Sequence, residues 1–172
     1  MKKYDVIFSD LDGTIIKTIS GQMFPLGVWD MLIRFEVINK IKEIKPKCLL
    51  IVSNQDGIEK GFVDKRNFEF KMEYLRRSIK EYTGIEVEYS YCPKDAPTCK
   101  YRKPNIGMLD PLIYKMINRG IIENKIEKDK MLMIGDESGK EGQFSDRDKK
   151  TAENYCIDYM DVDDFVNTNW ED

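Results

Sequence analysis

The chain has 172 residues, of which 41% are hydrophobic and 34% are charged, and this composition suits one domain with a packed core. Its formal net charge is −3 and it contains no histidine, which excludes histidine-based acid–base chemistry and histidine metal ligands. The mild acidity argues against a wide non-specific nucleic-acid surface, but it leaves room for a small basic pocket that binds one strand.

The sequence carries no sign of export or of a membrane anchor. Met-Lys-Lys leads directly into a predicted strand, and no apolar run approaches the length of a membrane span. We therefore expect a cytoplasmic protein without membrane contact. In such a reducing compartment the four widely spaced cysteines are expected as free thiols, and these are Cys48, Cys92, Cys99 and Cys156.

The first predicted strand ends in two carboxylates. Residues 6–8 form an apolar run typical of a strand buried on both faces, and Asp10 and Asp12 follow it. Open α/β sheets bind ligands at the carboxyl ends of their strands. Two carboxylates this close repel each other unless a cation lies between them, and Mg²⁺ is commonly held by one or two carboxylates together with phosphate oxygens. Gly13 permits a tight turn, and Thr14 offers a hydroxyl.

The same residues allow a simpler interpretation, because Asp and Gly are ordinary turn residues. From these positions alone, an ordinary turn and an active site are equally well supported interpretations. A calcium-binding loop is not favoured, since the later glutamate that such a loop requires is missing.

The next segments alternate between helical and strand-like patterns. Residues 15–28 contain turn signals and predict a surface excursion beside the site. A helix capped by Asp30 and ended by Pro46 is predicted from the spacing of apolar residues, and Trp29 at its start is expected in the core. The apolar residues are Leu32, Phe35, Ile38, Ile41 and Ile44.

Two more apolar runs, 48–52 and 131–134, predict buried strands that end in Ser53-Asn54 and Gly135-Asp136. Further helices are expected over 67–82, 107–118 and 151–155, and further strands over 85–89, near the sheet edge, and 157–160. The alternation predicts a doubly wound three-layer α/β/α sandwich with a parallel sheet. We expect a single domain over 1–172, with a minimal cap made of cover insertions near 15–28 and 55–67.

The carboxyl ends of three predicted strands therefore bring polar side chains to one edge of the sheet, and the loop 90–104 adds Arg102-Lys103-Pro104. These are the parts that phosphoryl transfer needs. One carboxylate attacks phosphorus, and a second protonates the leaving oxygen and then activates water. Mg²⁺ and hydrogen-bond donors offset the charge of the phosphoryl oxygens.

The order of these motifs resembles that of the haloacid dehalogenase (HAD) superfamily: Phe-x-Asp-x-Asp-Gly-Thr, Ser53-Asn54-Gln55, Arg102-Lys103-Pro104, and Gly135-Asp136 with Asp148. Within it, the chain is most similar to the polynucleotide 3′-phosphatase domain of polynucleotide kinase/phosphatases. That likeness depends on Ser20-Gly21 with Phe24-Pro25-x-Gly27, on Tyr101 to Met108, on Phe144-Ser145-x-x-Asp148, and on Ala152-x-Asn154.

The resemblance implies a role for each site residue. Asp10 would be the nucleophile that forms an aspartyl-phosphate, and Asp12 the general acid/base, with its backbone carbonyl on Mg²⁺. Asp136 would complete the metal site. The remaining residues would contact substrate or support the site: Ser53 on a phosphoryl oxygen, Lys103 beside nucleophile and phosphate, Asp148 holding Lys103, and Thr14, Asn54 and Arg102 nearby. Asp146 is a rival to Asp148, but the spacing to Ala152 and Asn154 favours Asp148.

The function implied is Mg²⁺-dependent removal of a 3′-phosphate from nucleic-acid ends, as in DNA repair. No Gly-x-x-x-x-Gly-Lys-Ser/Thr loop occurs, so a kinase or ligase acting with it would be a separate polypeptide. Two alternatives stay open. One is a phosphatase of a small metabolite such as histidinol phosphate or a sugar phosphate, and the other is a non-catalytic module that binds nucleic-acid ends.

Substrate contacts are the least specific part of the sequence. A basic rim is predicted, although each of its members is also an ordinary surface charge: Lys17, Lys60, Lys65, Arg66, Arg102 and Lys140. Phe24, Phe62 and Trp29 are candidates for stacking on a terminal base. Cys92 and Cys99 fall where related phosphatases carry a zinc loop. Lys94 and Tyr101 stand at the other two ligand positions, so we expect no zinc.

Overall fold

The computed structural model describes residues 2–170. In chain order its elements are β1 (Val6–Ser9), β2 (Ile16–Lys17), β3 (Leu32–Ile33), α1 (Phe35–Ile44), β4 (Cys48–Asn54), α2 (Asp56–Glu59), α3 (Lys65–Thr83), β5 (Glu86–Cys92), α4 (Leu109–Asn118), β6 (Met131–Gly135), α5 (Arg147–Tyr155), β7 (Asp158–Asp161) and α6 (Val162–Asn167). No helix in this part of the chain has the length and apolar character needed to cross a membrane.

Five parallel strands form the central sheet, in the order β5-β4-β1-β6-β7. The middle strand β1 pairs with both β4 and β6, so that Ser9 lies opposite Ile51 and Ile134. This register brings the carboxyl ends of the three central strands to the same edge. The predicted doubly wound α/β fold is confirmed, and β5 is an edge strand as its alternating pattern indicated.

Alternate side chains of the central strands point to opposite faces of the sheet, and each face is covered by helices. Ile7, Leu49 and Leu132 pack with buried residues of α1, α3 and α6 on one face. Phe8, Leu50 and Met133 pack with α4 and α5 on the other. The strands are buried on both sides, which explains their continuous apolar sequences.

The helix α3 shows how local sequence sets an element's ends. The Asp64 carboxylate accepts a hydrogen bond from the backbone N of Asn67, and Gly84, with φ of 74°, ends the helix in the left-handed conformation. The helix therefore begins two residues before the predicted start at 67. Its buried stripe follows the predicted 3.6-residue spacing and consists of Phe68, Lys71, Met72, Leu75 and Ile79.

The predictions for 15–34 were partly wrong. Asp30 does not cap a helix: its buried carboxylate accepts hydrogen bonds from the backbone N and hydroxyl of Ser20 and from the backbone N of Leu26. The segment instead forms a short antiparallel ribbon of β2 and β3, and α1 begins only at Phe35. Trp29, expected in the core, is 64% exposed, because it precedes the helix and lies over Gly27.

Two helical segments differ from the predicted pattern elsewhere. α5 begins at Arg147 rather than at 151, and α6 follows β7 directly where no helix was predicted. The predicted cover segment 55–67 contains the one-turn helix α2. Charged residues at the start of α5 had obscured its first turn, since Asp-Arg-Asp-Lys-Lys carries no apolar periodicity.

Candidate active site

The carboxyl edge of the sheet encloses a cavity of about 370 Å³, called here the acidic cavity. Asp10 and Asp12 follow β1, Ser53 ends the buried part of β4, and Asp136 follows β6. Lys103 enters from the loop between β5 and α4. The structure therefore brings together side chains from positions 10 to 136, as the parallel register requires.

Lys103 is the electrostatic centre of this cavity. Its side chain is 2% exposed, and its Nζ donates to Oδ1 of Asp10 at 2.5 Å and to Oδ1 of Asp148 at 2.7 Å. Burial by itself would lower the pKa of Lys103, but the two carboxylates outweigh it and raise the pKa above its usual range. The ammonium therefore stays charged while it is buried.

Asp148 is fully buried and uses both of its oxygens. Oδ1 accepts from Lys103, and Oδ2 accepts from the backbone N of Glu137 at 3.2 Å. Gly135 makes room for this carboxyl: a Cβ at Gly135 would lie 2.2 Å from Oδ2 of Asp148. Its rival Asp146 is instead at the surface, paired with Lys150 at 2.8 Å.

Asn54 positions the backbone of Lys103. Its side-chain oxygen accepts from the backbone N of Lys103 at 2.9 Å, and its side-chain nitrogen donates to the carbonyl of the same residue at 3.1 Å. Asn154 of α5 donates to the carbonyl of Pro104 at 3.0 Å. The end of β4 and the helix α5 thus fix the loop that carries the lysine.

Three carboxyl groups lie within reach of one metal ion. One oxygen from each of Asp10, Asp136 and Asp148 lies within 4.8 Å of the other two. Asp148 is fully buried and does not line the acidic cavity, whereas Asp10 and Asp136 do, so these two are the pair placed to hold a cation. A Cβ at Gly13 would lie 2.0 Å from Oδ2 of Asp136, so the chain turns at a glycine to admit this carboxylate.

The acidic pair is mutually destabilising without a cation. Burial, followed by the charges of Asp10 and Glu137, raises the pKa of Asp136 to about 7. Burial also raises the pKa of Asp10, against the opposing effect of Lys103. A hard divalent cation bound to both groups would offset this repulsion, which is the chemistry expected of a magnesium site.

Asp12 and Thr14 lie close to this pair. The side-chain nitrogen of Gln55 donates to Oδ2 of Asp12 at 2.6 Å and also to the hydroxyl of Ser53 at 2.8 Å. The Thr14 hydroxyl donates to Oδ2 of Asp10 over a longer 3.4 Å. Asp12 is solvent-exposed, whereas Asp10 is buried, so the two carboxylates have different environments.

Several residues at the cavity were not singled out in the sequence. Arg147 makes a double contact with Glu137, at 3.0 and 2.8 Å, and its guanidinium lies 5.3 Å from the ring centre of Phe144, which is 80% exposed. Asp56 and Gln143 also line it. Phe144 belongs to a motif already noted, but nothing in the local sequence marked the contact between Arg147 and Glu137.

Four of the six residues of the predicted basic rim form ion pairs within the protein, one of them Lys65, which lies 3.8 Å from Glu69. Arg102 donates to the carbonyl of Lys94 at 2.8 Å and pairs with Asp95 at 3.0 Å, on the edge of a neighbouring cavity of about 520 Å³. Lys60 pairs with Asp56 and, at 3.0 Å, with Asp95. Lys140 pairs with Asp164 at 2.7 Å. These cations first neutralise the protein's own acids.

The two cysteines of the loop are adjacent. Sγ of Cys92 lies 3.5 Å from Sγ of Cys99, and both are free thiols. Burial raises the pKa of the Cys92 thiol, whereas backbone donation near Tyr101 and the contact with Cys92 lower the pKa of Cys99.

Comparison with solved structures defines the class of fold. The structure of D,D-heptose 1.7-bisphosphate phosphatase from B. bronchiseptica, complexed with magnesium and phosphate, matches 98% of this chain and 88% of that chain. The TM-score is 0.61 and the sequence identity 14%. A comparison of sequences gives a similar result. The D-glycero-beta-D-manno-heptose-1,7-bisphosphate 7-phosphatase of Helicobacter pylori (strain J99) is 31% identical over 104 residues, which are 59% of this chain and 55% of that protein. The fold is that of the HAD-like phosphatases.

A match to a family model places the chain more narrowly within this class of fold. The model described as polynucleotide kinase 3 phosphatase matches residues 5–166, and the chain belongs to that family. A bifunctional polynucleotide phosphatase/kinase of Schizosaccharomyces pombe is 32% identical over 160 residues, which is 91% of this chain. The chain spans 36% of the length of that relative. The resemblance stated from the motifs is thereby confirmed.

Proposed function

We propose that this chain is a Mg²⁺-dependent phosphomonoesterase that removes the 3′-phosphate from nucleic-acid ends. The observation that carries the proposal is the contact of Lys103 with both Asp10 and Asp148 inside a cavity that Asp136 and Asp12 also line. A buried ammonium next to a carboxylate nucleophile suits a dianionic phosphate, because it neutralises the charge that would otherwise repel it. The family match supports the nucleic-acid substrate.

In the proposed first step, a carboxylate oxygen of Asp10 attacks phosphorus and the bond from phosphorus to the 3′-oxygen breaks. Its electron pair leaves with that oxygen, and Asp12 supplies the proton that makes it a hydroxyl. In the second step water attacks the aspartyl-phosphate, Asp12 takes up the proton of the water, and phosphate leaves. Asp10 and Asp12 return to their starting states.

The contacts described above suit these two roles. Lys103 and Thr14 hold the two oxygens of Asp10, which fixes the direction of attack. Asp12 is held by Gln55 at the solvent-exposed side, where a leaving group and then water can reach it. Ser53, hydrogen-bonded to the same Gln55, is placed to donate to a phosphoryl oxygen. Arg102, predicted as a substrate contact, borders the neighbouring cavity instead.

Asp10 and Asp136 would hold the Mg²⁺, with the backbone carbonyl of Asp12 as the further protein ligand that the family resemblance implies. The ion would orient the phosphate and offset the charge that develops on its oxygens. The chain's own contribution is the fixed position of these carboxylates: Gly13 makes room for Asp136, and Lys103 holds Asp10.

A second candidate is a phosphatase of a small sugar phosphate, and the identity with the H. pylori heptose-bisphosphate phosphatase favours it. The two proposals differ in the size of substrate. Met23 and Phe144 beside the cleft are 78% and 80% exposed, and such apolar groups suit a nucleobase better than a sugar. A non-catalytic binding module is a less well supported function, since binding alone does not require a nucleophile paired with Lys103.

The proposed product, a 3′-hydroxyl end, is what a nick-sealing or end-extending enzyme needs. We infer that the chain acts in nucleic-acid repair with a separate kinase or ligase polypeptide. A pull-down with purified ligase and kinase candidates from the same cell would test this partnership, and no measurable association with either would contradict it.

The decisive experiment measures phosphate release from a 3′-phosphorylated oligonucleotide, a heptose bisphosphate and p-nitrophenyl phosphate, with Mg²⁺ and with EDTA. We expect the oligonucleotide to give the highest kcat/KM, EDTA to abolish turnover, and Asp10→Asn to be inactive with a full complement of secondary structure. A higher kcat/KM for the sugar phosphate would favour the second candidate. Full activity of Asp10→Asn would refute the mechanism.

A further inference from the structure

A second buried lysine lies outside the acidic cavity. Lys71 is on α3, is 4% exposed, and lines a cavity of about 330 Å³, called here the Lys71 cavity. The 25–28 segment, the loop before α3 and α3 itself enclose this cavity, and its walls include Leu26, Val28 and Phe62. Its volume lies at the lower end of the range of about 300–1,000 Å³ found for small-molecule sites.

The ammonium of Lys71 has no anionic partner within residues 2–170. Its Nζ makes neither a hydrogen bond nor a salt bridge there, and its one direct partner is the ring of Phe68, 5.4 Å away at the centroid. Burial lowers the pKa of Lys71, and the more distant charges of Asp12 and Asp30 only oppose that effect. Burying a cation without an anionic partner is unfavourable, so its presence calls for an explanation.

The ammonium is not sealed from solvent. Across the described chain, no fully buried side-chain nitrogen or oxygen lacks a hydrogen-bond partner. Since Nζ of Lys71 lacks one, it keeps contact with solvent, through the Lys71 cavity or through a second cavity of about 320 Å³ that Lys71 lines together with Trp29. Asp64, which also lines the Lys71 cavity, is already engaged as the cap of α3 through Asn67. Lys71 therefore offers an unused positive charge to a ligand.

The Lys71 cavity adjoins the cleft that leads to the acidic cavity. Pro25 lines both the Lys71 cavity and the neighbouring cavity that contains Asp12. Phe24 lines the neighbouring cavity and Phe62 lines the Lys71 cavity, and the centres of their rings are 5.2 Å apart. Phe24 packs directly on Gly57, where a Cβ would lie 2.8 Å from its ring. A chain-like substrate can thus reach both cavities.

We propose that the Lys71 cavity binds the phosphodiester group next to the 3′-phosphate that is removed. This inference rests on the proposed function and adds a substrate requirement: at least two linked nucleotides. An anion is the ligand that the unpaired ammonium lacks, and apolar walls strengthen the attraction by excluding water. A nucleic-acid end supplies a second anionic group at a fixed chain distance, whereas a monoester of a small alcohol does not.

The test compares Lys71→Met with wild type on three substrates: a 3′-phosphorylated oligonucleotide, the same oligonucleotide with a neutral methylphosphonate as its last linkage, and a nucleoside 3′-monophosphate. For the first we expect kcat/KM to fall about 10- to 100-fold, the worth of one hydrogen bond to a charged group. For the other two we expect less than a twofold change. In wild type the methylphosphonate should reproduce the loss caused by the mutation.

Two variants guard against misfolding as the cause. Lys71→Arg keeps the charge and should recover part of the oligonucleotide activity. Lys80→Met, on the exposed side of the same helix and paired with Glu86, should behave as wild type. The thermal midpoint of Lys71→Met should be unchanged or higher, because an unpaired buried charge is removed.

The outcomes separate the two proposals. Equal losses on all three substrates, or no penalty for the methylphosphonate in wild type, would overturn the Lys71 inference while oligonucleotide hydrolysis stands. If wild type hydrolyses the nucleoside monophosphate but no oligonucleotide, the proposed function fails and the inference fails with it.

Discussion

Two buried lysines lie in regions of the molecule that differ in how the lysine charge is balanced. Lys103 is surrounded by the carboxylates of Asp10 and Asp148, and its loop is fixed by Asn54. Lys71 is buried almost as completely, but within residues 2–170 its ammonium has no carboxylate partner and lies 5.4 Å from the centre of the Phe68 ring. The first charge is balanced within the chain and therefore contributes to a rigid site. The second is unbalanced, and its partner must come from outside.

The largest effect that this comparison predicts follows from Lys103→Met. The change leaves two buried carboxylates without their cation, so we expect a loss of about 3–5 kcal/mol of stability together with about a thousandfold or greater loss of kcat. Thermal unfolding and the oligonucleotide assay measure the two effects. Lys71→Met is the matched variant, and a thermal midpoint lowered equally by both substitutions would contradict the contrast between the lysines.

The next effect concerns Asp148, which contacts Lys103 but does not line the acidic cavity. Asp148→Asn should lower kcat about 10- to 100-fold through misplacement of the ammonium, with a smaller change in KM. Asp146→Asn is the control, since the one salt bridge of Asp146 within residues 2–170 is with Lys150 at the surface, and it should stay within twofold of wild type. A greater loss in the Asp146 variant would reverse the assignment.

A moderate effect is expected from pH. The pKa of Asp136 is raised by burial and by the charge of Asp10, so the folded state holds this proton more strongly than the unfolded chain does. The metal-free protein should therefore lose stability as pH rises from about 4 to about 7 through this group, and Mg²⁺ should restore it above pH 7.

Thermal midpoints at pH 5.5 and pH 8, with Mg²⁺ and with EDTA, measure this linkage. We expect a drop of roughly 3 °C or more at pH 8 in EDTA, and a smaller one in Asp136→Asn. A thermal midpoint in EDTA that rises from pH 5.5 to pH 8 would show that Asp136 does not control the pH dependence of the stability of the metal-free protein.

The smallest effect is predicted for the basic rim. Lys140→Ala removes a lysine that already pairs with Asp164 and Asp161, so oligonucleotide kcat/KM should change less than twofold at moderate salt. A larger decrease that disappears at high salt would mean that this lysine leaves its carboxylates to contact the substrate. The basic rim would then bind the nucleic-acid backbone, as first predicted.

The parts of the fold that sequence reasoning found are those with strong periodicity. The continuous apolar runs at β1, β4 and β6 allow few alternatives to a buried parallel sheet, and the polar residues after them mark one edge. The failures lie where local spacing misleads. Leu32 has helical spacing with Phe35 and Ile38, yet it pairs as a strand with Lys17, because the tertiary context of the 15–34 segment outweighs its pattern.

The site was predicted unevenly for a similar reason. Residues that directly follow buried strands could be placed by topology, and Lys103 by its motif. The salt bridge of Arg147 with Glu137 and the isolation of Lys71 could not, since both depend on which charged groups meet across the fold. On the helix α3 the spacing of Lys71 with Phe68 and Leu75 puts it on the buried face, a signal that its charge had concealed.

Gly13 and Gly135 show what the smallest substitution would do here. Each presses against one carboxyl group so closely that a single methyl would overlap it, the first against Asp136 and the second against Asp148. An alanine at either position would displace an acid while every ionisable side chain stayed in the sequence. To judge from sequence whether a related protein is an active phosphatase, one must therefore check that both positions are glycine, and not only that the aspartates are present.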